Sequence, residues 1–253
     1  MKKIIVIFLL FFSWHQAKAF DASPFNTQSA ELSQGGWWTV YHEFFYAGKT
    51  DSHNPLSLEL RYTFFDKIRF GVLNSLSYYN DDNNSYLGLS NFLLTTELEV
   101  YDFEKNDFLK FANLELVDHA NIFFNQFIPN LDHKELGYEF YSFNTGIEWQ
   151  KQLSKQFGFY SELGYFYIPT SADFVTHNFL YNNSLSYEFN SWLQPYIELL
   201  GLTDFSTGNT YLYLAPGISI DFNDNVYLYA NPIVNLTAND DTWGFQFGVT
   251  GNI

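Results

Sequence analysis

From Thr210 onward, apolar side chains occupy every second position. Leu212, Leu214, Pro216, Ile218, Ile220 and Phe222 alternate with Tyr211, Tyr213, Ala215, Gly217, Ser219 and Asp221, and Asn223-Asp224-Asn225 interrupts the run before Val226 to Tyr229 resumes it. A period of two belongs to a β-strand, whose successive side chains point to opposite faces. Asn and Asp tolerate positive φ and bond their own backbone, so the triplet predicts a tight turn and the segment an antiparallel hairpin. Trp243, Phe245, Phe247 and Val249, alternating with Gly244, Gln246, Gly248 and Thr250, predict a closing strand.

The same alternation recurs upstream. Leu56, Leu58, Leu60, Tyr62 and Phe64 form one face of a strand whose other face is Ser57, Glu59, Arg61 and Thr63. A turn at Asp66-Lys67 leads to Ile68, Phe70, Val72, Leu76 and Tyr78 opposite Arg69, Gly71 and Ser75. Further strands are predicted over Trp37 to Ala47, where His42 blurs the parity, Tyr86 to Phe103 as one long strand or a pair, and Phe108 to Phe124. Tyr138 to Trp149, Phe157 to Ile168, Phe179 to Phe189 and Trp192 to Leu202 follow. No helical period competes. The connections alternate: longer polar gaps begin at Gly48, Asp81, Asn125, Pro169, Thr203 and Leu236, and short turns at Asp66, Glu104, Lys151, Asn190 and Asn223. About twelve strands with short and long links on alternate ends predict an all-β fold, a transmembrane antiparallel up-and-down β-barrel with both termini on the short-turn side.

Composition separates this fold from a soluble sandwich. Charged residues are 16% of the chain and aromatics 21%, whereas a soluble domain carries roughly 25% charge, much of it on its outer faces. Here the oilier face carries Leu, Tyr and Phe, and the opposite face carries the charge. The start of the chain agrees: Lys2-Lys3, the apolar run Ile4 to Phe12 and Ala17-Lys18-Ala19 form a secretory signal peptide over residues 1–19. Residues 20–36 are a polar periplasmic lead-in or pore-mouth segment broken by Pro24 and Gly35-Gly36, and 37–253 are the barrel. The expected location is the outer membrane of a Gram-negative bacterium, after signal cleavage. The chain has no cysteine, so no disulfide braces it. Its net charge of −16 argues against nucleic acid as a partner, because phosphate contacts need Lys and Arg. The partners expected instead are outer-membrane lipid and lipopolysaccharide, the barrel-assembly machinery during biogenesis and a small-molecule solute, with the protein monomeric.

With the oily face toward lipid, parity assigns the lumen. Its pore-lining candidates are Glu59, Arg61, Arg69, Glu97, Glu99, Glu115, Glu148, Glu162, Glu188, Glu198 and Asp221, with Glu43 beside them and Tyr196, Tyr211 and Tyr213, together with Tyr41 and Tyr160, as an aromatic lining. A ring of carboxylates in a narrow aqueous pore favours cations, because low-dielectric walls focus its field. The two arginines flank the Asp66-Lys67 turn and are expected to pair with some of the carboxylates. The alternative is that the acids only hydrate and brace a closed lumen. No catalytic residue, metal ligand or cofactor is assigned: His-x-x-x-His spacing and Gly-rich phosphate loops are absent. The one tempting hydrolase pair, His177 and Ser184, places a loop histidine far from a mid-strand serine.

Pro55 to Val72, PLSLELRYTFFDKIRFGV, resembles the early hairpin of the outer-membrane transporters labelled "MetA-pathway of phenol degradation", and Pro195 to Asn231, with PYIELLG and LAPGISIDFNDNVYLYAN, is similar to that family's closing strands. The resemblance implies a barrel that passes small, often aromatic or hydrophobic compounds, and no catalytic residues. The ending Gly251-Asn252-Ile253 departs from the terminal aromatic usual in such barrels. The expectation is a channel or passive transporter for small solutes with an acidic lumen. A structural or surface-interaction barrel with a closed lumen is the alternative, and an outer-membrane hydrolase the third reading.

Overall fold

The computed structural model describes residues 35–47, 50–80, 85–102, 117–129, 140–169, 175–223, 226–237 and 242–252. Its strands are β1 (Gly35–Ala47), β2 (Thr50–Phe64), β3 (Ile68–Asn80), β4 (Ser85–Leu89), β5 (Phe92–Asp102), β6 (His119–Ile128), β7 (Ser142–Gln152), β8 (Phe157–Pro169), β9 (Val175–Tyr187), β10 (Leu193–Asp204), β11 (Thr210–Asn223), β12 (Val226–Asn235) and β13 (Thr242–Asn252). Each pairs antiparallel with its neighbours, β4 and β5 share β3, and β1 pairs with β13 from Trp37↔Asn252 to Ala47↔Thr242. The result is a closed barrel of twelve staves, because β4 and β5 lie end to end in one of them. Closure leaves no unpaired edge, which a β-structure in hydrocarbon requires. Every stave is at least ten residues long, enough to cross a bilayer at the usual tilt.

Burial is inverted relative to a water-soluble protein. On β2, Leu56, Leu58, Leu60, Tyr62 and Phe64 are all more than 40% exposed, while Ser57, Glu59 and Thr63 are at most 4% exposed. Thirty-one large apolar side chains share that outward exposure among the described residues. A soluble monomer rarely tolerates an apolar patch beyond a few hundred Å², so this face is one that lipid covers. Aromatic contacts sit on the same wall, with Phe143 stacked on Tyr167 at 5.0 Å and Phe44 against Trp243 at 4.5 Å.

Several boundaries differ from those read in the sequence. Of the polar gap expected from Gly48 to Asn54, Thr50 to Asn54 belong to β2. Gly35-Gly36 does not break the chain but opens β1. Pro55 cannot donate to a ladder, and the β1–β2 register shifts beside it, where His42 Nδ1 meets the Pro55 carbonyl at 3.1 Å. That bulge is the cause of the blurred parity at His42, which is buried. Of the strand expected over Phe108 to Phe124, residues 108–116 lie outside the described residues, and β6 runs from His119 past its expected end to Ile128. The short turn expected at Glu104 lies outside the described residues. The Tyr86 to Phe103 segment is a pair of strands: Ser90 and Asn91 both turn inward, held by Asn74 Nδ2 donating to their carbonyls at 3.1 and 3.3 Å.

The turn after β2 is centred on Phe65 and Asp66, at φ 56° and 53°, with the Lys67 amide donating to the Phe64 carbonyl at 3.1 Å. Two successive positive φ values define the type I′ hairpin, whose twist matches that of the strands. The signal peptide and most of the lead-in lie outside the described residues, as does Glu115.

Candidate functional site

The lumen is built by the inward residue of each pleat. Near the short-turn end, β2 contributes Arg61 and Glu59, β3 Arg69, β5 Glu97, β7 Glu148, β8 Tyr160 and Glu162, and β10 Tyr196 and Glu198. Register aligns them across the staves: Arg69 lies opposite Glu97, and Glu148 opposite Glu162. The two arginines form one wall. Arg61 binds Glu59 at 2.6 Å and Glu97 at 2.9 Å, and Arg69 takes the second Glu97 oxygen at 2.7 Å and the Thr63 hydroxyl at 3.2 Å. These side chains are at most 9% exposed, so the pairs attract through a medium that screens poorly.

The opposite wall is mainly acidic and polar. Glu148 accepts hydrogen bonds from Asn121 at 2.6 Å and Tyr160 at 2.9 Å. Glu198 is 0% exposed, and neither of its carboxylate oxygens has a hydrogen-bond partner. Its cross-strand neighbours are Ser184 and Ala215, both small. A buried carboxylate so placed is costly to the fold when charged.

Above this belt the lumen changes character. Tyr41, Leu73, Leu93, Phe127, Phe166 and Ile168 form one buried apolar cluster inside the barrel, and Leu200, Tyr213, Ala215 and Ile233 a second, with Tyr211 packed against it. Phe127 stacks on Phe166 with centroids 5.2 Å apart. The boundary between the layers holds a cavity of about 60 Å³, bordered by Leu73, Phe127 and Leu200 on one side and by Arg61, Glu148 and Glu162 on the other. A space of this kind needs about 10–15 Å³ per water, so it has room for several water molecules. Parity reasoning placed the collar's tyrosines, Tyr41, Tyr211 and Tyr213, inward but missed its Leu, Phe and Ile members. Their trace in the sequence is Tyr165-Phe166-Tyr167-Ile168, where the period of two disappears because both faces are apolar.

The other candidate residues fall elsewhere. Glu99 lies at the short-turn end beside Asp102 and His119. Glu188 and Asp221 are exposed at the rim. Tyr196 is buried and donates to Asn231 Oδ1 at 3.1 Å, and Tyr213 is buried in the second cluster. Glu43 is buried and accepts from Asn54 at 2.9 Å. His177 is exposed and touches Tyr165, whereas Ser184 is 3% exposed on the inner face, so these two do not meet.

No family model matches the chain, and no curated protein matches its sequence. Solved structures do match in shape. The COG4313 outer membrane channel from Pseudomonas putida F1 superposes with a TM-score of 0.65 at 13% identity, covering 88% of this chain and 98% of that one. The NanC porin gives 0.61 at 7% identity, covering 85% and 100%. The translocator domain of the autotransporter NalP from Neisseria meningitidis gives 0.56 at 9% identity, covering 87% and 89%. At such identities the likeness concerns the barrel fold, which channels and secretion domains share.

Proposed function

We propose that this chain is a passive channel of the bacterial outer membrane for small solutes with an apolar or aromatic body, cationic or neutral in preference to anionic. The observation that carries the reading is the two-layered lumen: a collar of Leu, Phe, Ile and Tyr above a belt in which carboxylates outnumber arginines. The collar strips water from whatever enters, so an apolar body is favoured there. The belt disfavours anions because its carboxylates outnumber its arginines. The stacked Phe127–Phe166 pair narrows the lumen, and passage requires these rings to swing aside. In this reading Glu59, Arg61, Arg69, Glu97 and Glu148 line the path with them, and Tyr196, Tyr211 and Tyr213 supply its aromatic side. The membrane partners are lipid and lipopolysaccharide on the outward face, with assembly by the barrel machinery and action as a monomer.

The test is uptake into proteoliposomes of matched aromatic cations, neutral aromatics and aromatic anions. Faster entry of the first two, accelerated further by Phe127→Ala with Phe166→Ala, is the expected result. Equal entry of the anion, or no effect of opening the collar, contradicts the proposal. A second reading, a closed barrel with a structural or surface role, is favoured by the small size of the lumen cavity. It requires both the native protein and the collar variant to give no uptake and no conductance steps in planar bilayers.

A further inference from the structure

We propose that Glu99, Asp102 and His119 form a binding site for a divalent transition-metal ion, zinc by its donor set, at the short-turn end of the barrel interior. One ligand atom from each side chain lies within 4.8 Å of the other two, and among the described residues no other group of His, Cys, Asp and Glu side chains meets that spacing. The convergence depends on a bulge. Glu99 faces Asn121 in register and Asp102 faces His119, but the register shifts between Glu99 and Tyr101. On a regular strand, residues three apart point to opposite faces. The extra residue restores a common face, so Val100 is exposed while Asp102 is buried. Bulges characteristically re-aim one side chain in this way.

A second observation is independent of the clustering. His119 Nδ1 is shut off from solvent and has no hydrogen-bond partner. A buried imidazole nitrogen left without a partner beside two carboxylates is a ligand atom in waiting. The amide of Asn121, on the same strand, gives its Nδ2 to Glu148 at 2.6 Å. One imidazole and two carboxylates suit zinc, with bonds of about 2.0–2.2 Å and a fourth position left for water or an incoming donor. Calcium and magnesium, which take oxygen donors only, would leave the imidazole unused. Small side-chain rotations close the remaining gap. Bound there, the ion would clasp β5 to β6 at the end of their ladder, where Asp102 pairs with His119.

The site is independent of transport, so it is tested by binding. The full-length protein, refolded in detergent without a histidine tag and stripped with EDTA, is titrated with zinc by calorimetry and with cobalt by visible absorption. One equivalent bound at micromolar affinity or better is expected, with a cobalt ligand-field band. His119→Ala and Asp102→Asn should each weaken zinc at least tenfold, and His177→Ala, at an exposed histidine, should leave it unchanged. Folding of each variant is verified by its heat-dependent gel migration, with His119→Gln replacing His119→Ala if the latter fails to fold. Absence of stoichiometric binding, or equal weakening by His177→Ala, overturns the site.

Discussion

Arg61 joins two acidic strands, and its removal measures how much the lumen's charges contribute to the fold. Its guanidinium reaches Glu59 at 2.6 Å and Glu97 at 2.9 Å, with the side chains concerned no more than 9% exposed. An exposed ion pair contributes about 0–1 kcal/mol. Breaking a buried pair from one side costs about 3–5 kcal/mol, because the partner is stranded as an uncompensated charge. Arg69 still holds Glu97 at 2.7 Å, so the loss falls mainly on Glu59, and Arg61→Met should cost about 3 kcal/mol. The assay is equilibrium urea unfolding in lipid vesicles, followed by tryptophan fluorescence and by gel migration without heating. Adding Glu59→Gln removes the stranded charge, so the double variant should recover about 2 kcal/mol of the loss. A loss below about 1 kcal/mol for Arg61→Met, or a double variant no more stable than the single one, would show that lumen water screens these charges as bulk solvent does.

Three further outcomes follow from the same structure. Glu148→Gln combined with Glu162→Gln, both bordering the lumen cavity, should lower the cation-to-anion permeability ratio, read as a reversal potential in a salt gradient, and an unchanged potential would remove the acidic wall from selectivity. A Cβ on Gly217 would lie 2.4 Å from the Tyr196 ring, so Gly217→Ala should cost about 1–3 kcal/mol in urea unfolding through overpacking, with loss of the 3.1 Å contact from Tyr196 to Asn231. Asp66 holds φ 53°, which costs a non-glycine residue about 1 kcal/mol, so Asp66→Gly should raise the unfolding midpoint, and a lowered midpoint would mean that the side chain contributes more than its backbone strain.

The outward face was legible because it is written strand by strand. Leu56 to Phe64 announce their side of the sheet without reference to any other strand, and the same holds for Trp243 to Val249. The inward carboxylates Glu59, Glu97, Glu148, Glu162 and Glu198 were found by the same parity. Errors arose where parity stops carrying information. The segment Thr50 to Asn54 is polar yet extended, since a ladder can continue beyond the hydrocarbon where polar side chains are tolerated. The strand read as ending at Phe124 ends too soon, because β6 goes on pairing to Ile128 with β5 and to Phe127 with β7. At Phe166 and Ile168 both faces are apolar, so the collar left no alternation to detect.

Taken alone, then, the sequence determined the class of fold, the face that meets lipid and most of the acidic inner positions, because a two-residue period is a local property that survives without knowledge of partners. The tertiary structure decided which inward residues meet: Arg61 with Glu97, Phe127 with Phe166, Asp102 with His119. Those encounters depend on register, on bulges that shift it by one residue, and on the closure of β1 against β13, all of which are set by pairings between strands distant in the chain.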